Sequence, residues 1–231
     1  MKRLLLVSSS NVHGSGYLEH CEAQILDLFH SCQRVLFVPY ALSDRDSYAQ
    51  QARQRFREMG LELDSIHQTE NPVAAVFEAE GVFVGGGNTF RLLNELQERG
   101  LVEPLRARVA SGMPYMGTSA GSNVACPTIR TTNDMPIVEP ESFSALGLVS
   151  FQINPHYLDA DPDSKHKGET REQRLNEYLE ENDVSVAAIR EGGMIVVRGS
   201  EVCLEGKTGG VLFAKGQPPV EIVPGQRIDK L

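Results

Sequence analysis

Between Pro114 and Asn123 the chain reads Pro-Tyr-Met-Gly-Thr-Ser-Ala-Gly-Ser-Asn, which sets Ser119 in a G-x-S-x-G pattern. A serine in that setting belongs where a strand turns abruptly into a helix, with glycines at the places where a side chain would block the turn. Gly117 and Gly121 occupy those places, and Ser122 to Ala125 can begin a helix whose first amides face developing negative charge. Such a junction confines the chain to architectures in which a strand feeds a helix across the end of a sheet. The chemistry it points to is that of a serine hydrolase.

The rest of the chain agrees with an α/β fold whose mostly parallel central sheet is flanked by helices on both faces. Short β-rich runs at Leu4 to Ser8, Arg34 to Pro39, Gly81 to Val84 and Pro114 to Gly117 alternate with helical runs at Tyr17 to Phe29, Asp46 to Met59, Thr89 to Glu98 and Leu105 to Ala110. Gly60 and Gly100 stand just past their helices as stops, and Ser43 or Asp44 can cap the second helix. After Asp183 the pattern changes to short runs with Gly-rich turns: Val184 to Ile189, Met194 to Val197, Val202 to Leu204, Val211 to Ala214 and Val220 to Val223. These are expected to form antiparallel strands, a meander at one sheet edge. With 231 residues and 41% apolar content the chain is read as one domain, residues 1–231.

Composition narrows the partners. A net charge of −9 disfavours nucleic acid and anionic membrane, both of which need a basic face. The opening Met1-Lys-Arg-Leu-Leu-Leu-Val runs into Ser8-Ser-Ser without the form of a signal peptide or a membrane span. Cys21, Cys32, Cys126 and Cys203 show no metal-ligand spacing and read as apolar residues in a reducing compartment, so the expected location is the cytoplasm. Monomer and homodimer are both left open.

In open α/β sheets functional residues gather beyond the carboxyl ends of strands. Here those ends carry Ser8-Ser-Ser-Asn-Val, Gly85-Gly-Gly-Asn-Thr, Ser119, Asn154-Pro-His156 and Arg190-Glu-Gly-Gly193. Ser119 requires a base, and a neutral imidazole can face a nucleophile with one nitrogen and a carboxylate with the other. His156 is the candidate because it follows a strand end. His20 and His30 lie on a helix face, His67 sits in a strand between Ser65 and Thr69, and His13 and His166 fall in polar loops. Two carboxylates compete to orient His156: Glu191, preferred because it also follows a strand, and Asp134, in the loop after the elbow helix. Gly85-Gly-Gly-Asn88 is neither G-x-G-x-x-G nor a Walker loop. Its expected use is an oxyanion hole built from the amides of Gly87 and Ala120.

The blocks Gly85 to Phe90, Gly117 to Asn123, Ala125 to Ile137, Gln152-Ile-Asn-Pro-His156 and Lys167-Gly-Glu-Thr-Arg-Glu-Gln-Arg174 together resemble the peptidase E family, the bacterial α-aspartyl dipeptidases. The resemblance runs from the first strand to the end of the chain and is weakest from Gly206 to Leu231. It implies a variant of the class I glutamine amidotransferase-like fold, with serine in place of the amidotransferase cysteine, and hydrolysis of dipeptides with N-terminal aspartate. It carries nucleophile and base onto Ser119 and His156, and leaves Glu191 and Asp134 both open as the acid. A buried aspartate side chain must be paired, which a planar guanidinium does with two charge-assisted bonds. The family's specificity segment falls on Arg171, with Arg174 and Arg130 as further candidates. Asn11, Asn88 and the acidic residues of Asp159 to Asp163 are candidates to close the cleft behind the free amino terminus. The chemistry needs no metal or organic cofactor. Two other readings remain: a cyanophycinase-like hydrolase of other aspartyl linkages, and a ligand-binding relative without turnover.

Overall fold

The computed structural model describes residues 1–161 and 167–228. Its elements run β1 (Arg3–Val7), α1 (Glu22–Leu28), β2 (Arg34–Val38), α2 (Arg45–Glu58), β3 (Glu62–Ser65), α3 (Pro72–Glu78), β4 (Val82–Val84), α4 (Thr89–Glu98), α5 (Val102–Ala110), β5 (Tyr115–Thr118) and α6 (Ala120–Val124). They continue with β6 (Gln152–Asn154), α7 (Arg171–Glu181), β7 (Val186–Ile189), β8 (Gly193–Arg198), β9 (Glu201–Gly206), β10 (Gly210–Phe213) and β11 (Val220–Ile222). Short 3-10 turns occupy Glu19–Cys21 and Ile66–Gln68.

Apolar runs such as Leu4-Leu-Leu-Val7 have no polar face, which suits strands covered on both sides. Successive residues then enter different cores. Leu4 and Leu6 join Leu36, Val38, Val82 and Val84 under α3, α4, α5 and α6, whereas Leu5 and Val7 join Val35, Phe37 and Phe83 under α1 and α2. The seven-stranded sheet has the order β3-β2-β4-β5-β1-β8-β9. Its first five members pair in parallel, and β8 and β9 add antiparallel strands at the β1 side.

The C-terminal strands do not form one meander. β7, β10 and β11 leave the large sheet and join β6 in a second sheet of order β11-β10-β7-β6. One face of that sheet, through Ile153, Ala187, Ile189 and Ile222, completes the core under α4 and α6. Its other face, Val186, Ala188, Val211 and Phe213, is covered by Leu175 and Leu179 of α7. The apolar content on both faces of β7 therefore has a structural reason, since the strand is buried on both sides. Two elements lie outside the sequence-based expectation. Residues 62–65 pair with β2 as a further parallel strand before β4, and Asn71 caps α3 by accepting from the Ala74 amide at 3.0 Å. His67 accordingly lies in a 3-10 turn, not in a strand. Among the described residues no helix is long and apolar enough to cross a membrane.

This topology brings the ends of β1, β4, β5, β6 and β7 to one rim. Ser119, the Gly85–Gly87 loop, His156 and Glu191 all follow those ends.

Candidate active site

The turn from β5 into α6 is as tight as its glycines require. A Cβ at Gly117 would stand 2.4 Å from Gly121 O, and one at Gly121 would stand 2.1 Å from Val84 O, so neither position admits a side chain. Ser119 at the corner has φ 50° and ψ −108°, a conformation uncommon for a residue with a side chain and a form of stored strain. The corner is held from several sides. The Ser119 amide donates to Val7 O at 2.9 Å, and the amides of Ser122 and Asn123 donate to Ser119 O at 2.9 and 3.0 Å. Tyr115 Oη donates to Gly121 O at 2.6 Å, and Ser122 Oγ is 2.8 Å from Val7 O.

His156 emerges from β6 at φ 54°, a second strained residue on the same rim. Its Nε2 lies 2.9 Å from Ser119 Oγ, and its Nδ1 lies 2.8 Å from Glu191 Oε1. An ionised carboxylate only accepts, so the proton of the neutral ring sits on Nδ1 and Nε2 is free to accept from the serine hydroxyl. The side chains of His156 and Glu191 are 36% and 49% exposed, so this hydrogen-bonded chain faces solvent on the Glu191 side.

The glycine loop after β4 passes against the serine. A Cβ at Gly86 would be 3.2 Å from Ser119 Cβ. The Gly86 amide is spent on Tyr48 Oη at 2.8 Å, whereas among the described residues the Gly87 and Ala120 amides meet no protein acceptor. Gly87 has φ 133°, and a Cβ there would lie 2.6 Å from Ala41 O, so this position too demands glycine.

Asp134 is engaged elsewhere. Its Oδ2 accepts from the Thr89 amide at 2.7 Å and from Thr89 Oγ1 at 2.6 Å, at the start of α4. Asn88 supports the same helix start, since its Oδ1 caps the Arg91 amide at 3.0 Å and its Nδ2 donates to Met135 O at 2.9 Å. The His156 Nδ1–H thus donates to Glu191, while Asp134 and Asn88 bond within the first turn of α4 and the loop beside it.

Arg171 is the first residue of α7, behind a capping box in which Thr170 Oγ1 accepts from the Gln173 amide and Gln173 Oε1 accepts from the Thr170 amide. Among the described residues it has no ion-pair partner. Burial, then the neighbouring Arg174 charge, pull its guanidinium below the ordinary arginine value. Arg174 itself sits 3.5 Å from Glu169. Both arginines line an open cleft of about 380 Å³ with Asp159, Asp161 and Glu169. Asp159 is bound by Arg190, the neighbour of Glu191, through two bonds of 2.7 and 2.6 Å. Asn11 is exposed, with its Nδ2 3.3 Å from Ser10 Oγ, and Arg130 lies over the Phe143 ring at 5.7 Å. Asp163 and His166 lie outside the described residues.

Sequence reasoning does not find the residues that hold His156 in place. Ser8 Oγ accepts the His156 amide, Asn133 Nδ2 donates to Pro155 O at 2.6 Å, and Asn154 Nδ2 donates to Asn133 Oδ1 at 2.8 Å. Ser8 and Asn154 stand at strand ends, but nothing local marks them as supports of His156, and Asn133 lies in the loop after α6. The structure also contains a second serine–histidine–carboxylate chain, in which Ser65 Oγ is 2.7 Å from His67 Nδ1 and His67 Nε2 is 3.0 Å from Asp46 Oδ1. Ser65 is 2% exposed and lacks a glycine-lined turn, so this chain has no route to substrate. Among the described residues no group of three His, Cys, Asp or Glu side chains is placed to hold a metal ion.

Comparison with known proteins places these features in a family. Residues 4–204 match the model of peptidase family S51. The chain is 51% identical over 228 residues to peptidase E of Streptomyces coelicolor, covering 99% of this chain and 94% of that protein. It is 46% identical to a Drosophila melanogaster protein described as a probable alpha-aspartyl dipeptidase, covering 96% of this chain and 94% of that one. The crystal structure of a peptidase from an acI-B1 Actinobacterium superposes with a TM-score of 0.71 at 20% identity, over 99% of this chain and 96% of the other, a likeness of fold. The chain belongs to peptidase family S51.

Proposed function

We propose that this chain is a serine dipeptidase that hydrolyses dipeptides with an N-terminal α-linked aspartate, with Ser119 as nucleophile, His156 as base and Glu191 as the carboxylate that orients it. The observation that supports the reading most is the continuous hydrogen-bond chain from Ser119 Oγ through His156 to Glu191, at 2.9 and 2.8 Å, at a strained strand-to-helix corner. The relatives named for peptidase E and aspartyl dipeptidase activity supply the substrate.

Ser119 Oγ attacks the carbonyl carbon of the substrate's aspartyl residue as its proton passes to His156 Nε2. The oxygen gains negative charge and is received by the amides of Gly87 and Ala120, which meet no protein acceptor among the described residues. Collapse of the tetrahedral adduct breaks the C–N bond, and His156 gives its proton to the departing amine. Water then attacks the aspartyl ester with His156 again as base, and Ser119 leaves with the proton. Glu191 stabilises the imidazolium at both stages. Arg171 pairs the aspartate side chain, and Arg174 adds positive potential beside it. Four free thiols suit a reducing compartment such as the cytoplasm.

The test is hydrolysis of α-Asp-Leu, Asn-Leu, Glu-Leu and β-Asp-Arg by the purified chain. Only the first is expected to turn over well. Preference for β-Asp-Arg would move the assignment to another aspartyl linkage, and silence on all four would favour a binding protein.

Arg171→Ala is expected to lower kcat/KM for α-Asp-Leu by roughly 10- to 100-fold, the loss of charge-assisted bonds to a carboxylate. Thermal unfolding should change little, because Arg171 holds no ion pair among the described residues. Unaltered kinetics would remove Arg171 from the pocket.

A further inference from the structure

The C-terminal end of β1 bonds to Ser119, to His156 and to the strand that leads to Glu191. Val7 O accepts the Ser119 amide at 2.9 Å. The next residue, Ser8, is 0% exposed, and its Oγ accepts the His156 amide at 2.9 Å while donating to Ile189 O at 2.9 Å. Ile189 O also accepts the Tyr157 amide at 3.0 Å and stands two residues before Glu191. A hydroxyl has one proton, so donation to Ile189 fixes its orientation and leaves a lone pair for the His156 amide.

We infer that Ser8 is a positioning residue for the reaction, setting the separation of Ser119 from His156 and the approach of Glu191 to the imidazole through these two hydrogen bonds. The inference rests on the reading of those three residues given above. It follows from where they sit. Ser119 ends a strand of the seven-stranded sheet, whereas His156 and Glu191 end β6 and β7 of the other sheet, and among the described residues the two sheets share no strand pair. The seam is crossed by the short connection from β7 to β8, by the Ser8 amide donating to Gly193 O at 3.1 Å, by packing and by side-chain bonds, and together these fix a donor–acceptor distance that the chemistry requires to within a fraction of an ångström. His156 also has φ 54°, a conformation that persists only where the surroundings over-determine it. Ser8 holds its amide from one side, as Asn133 holds the preceding carbonyl from the other.

Two measurements on the full chain test this: steady-state hydrolysis of α-Asp-Leu, and the rate at which a small fluorophosphonate phosphonylates Ser119. The second depends on the serine–histidine pair and needs no aspartate pocket. Ser8→Ala is expected to lower kcat and the labelling rate together by roughly 10- to 100-fold with KM little changed. Ser65→Ala, which removes another buried, hydrogen-bonded serine hydroxyl, should leave both rates unchanged while reporting the stability loss common to such changes. Should Ser8→Ala fail to fold, Ser8→Cys keeps the volume but is a weaker donor and acceptor, and its rates should fall below those of wild type. Rates for Ser8→Ala or Ser8→Cys within about twofold of wild type, or an equal loss in Ser65→Ala, would overturn the inference. A wild-type chain that takes the fluorophosphonate but cleaves no Asp-X dipeptide would instead overturn the substrate assignment, and the labelling rates would still decide the role of Ser8.

Discussion

Ser119→Ala is expected to lower kcat for α-Asp-Leu by roughly four to six orders of magnitude while leaving the melting temperature close to that of wild type. The size of the effect follows from the reaction being covalent. Without the hydroxyl no aspartyl ester forms, and what survives is the catalysis of a water molecule by the oxyanion amides and bound orientation alone. Stability should be spared because the folded corner depends on backbone bonds of Ser119, whose amide donates to Val7 O and whose carbonyl accepts from the amides of Ser122 and Asn123, and these persist in alanine. The strained φ of 50° remains to be borne by another side-chain-bearing residue, so the cost of that conformation is unchanged. In the proposed mechanism serine and histidine act as a unit, so the double variant Ser119→Ala/His156→Ala should be no slower than Ser119→Ala. The check is progress-curve kinetics on protein purified without a wild-type source. Turnover within about tenfold of wild type would end the serine mechanism.

How far such a site can be read from sequence depends on whether its cause is local. Gly117 and Gly121 are demanded by contacts within the turn and across to the neighbouring strand, so the turn is visible in five residues. The two faces of the large sheet are visible for a similar reason, since Leu4 to Val7 alternate between two cores by the geometry of a strand. Strand partnership is a different matter. β7 to β11 look alike as short apolar runs with glycine turns, and only their nonlocal pairing sends β8 and β9 to one sheet and β7, β10 and β11 to the other. The competition between Glu191 and Asp134 is nonlocal as well: Glu191 follows a strand and Asp134 lies in a loop, and in the structure Asp134 accepts the amide of Thr89, 45 residues away, while Glu191 accepts from His156. β3 is four residues long with Leu63 its one apolar residue, too short to carry a periodic signal. α3 is different again, because Asn71 and Pro72 at its cap and first positions are a local cue, which a search for apolar periodicity passes by.

That competition between carboxylates sets up the second large effect. Glu191→Gln is expected to reduce kcat for α-Asp-Leu by on the order of 10³, with the serine and histidine still in bonding distance. The amide can still meet Nδ1, but it lacks the charge that stabilises the imidazolium, and turned the other way it presents a donor that favours the wrong tautomer. The loss should stop short of that expected for a fully buried acid, because the Glu191 side chain is 49% exposed and water shares its work. Asp134→Asn reverses the pattern. Its oxygen accepts from the amide and hydroxyl of Thr89, so neutralising it weakens a helix start by about 1 kcal/mol in denaturant unfolding and leaves kcat near wild type. The paired measurement has a clear losing outcome. A slow Asp134→Asn enzyme of normal stability beside an active Glu191→Gln enzyme would transfer the acid's role to Asp134 and would mean that the loop from Thr131 to Met135 moves toward His156 when substrate binds.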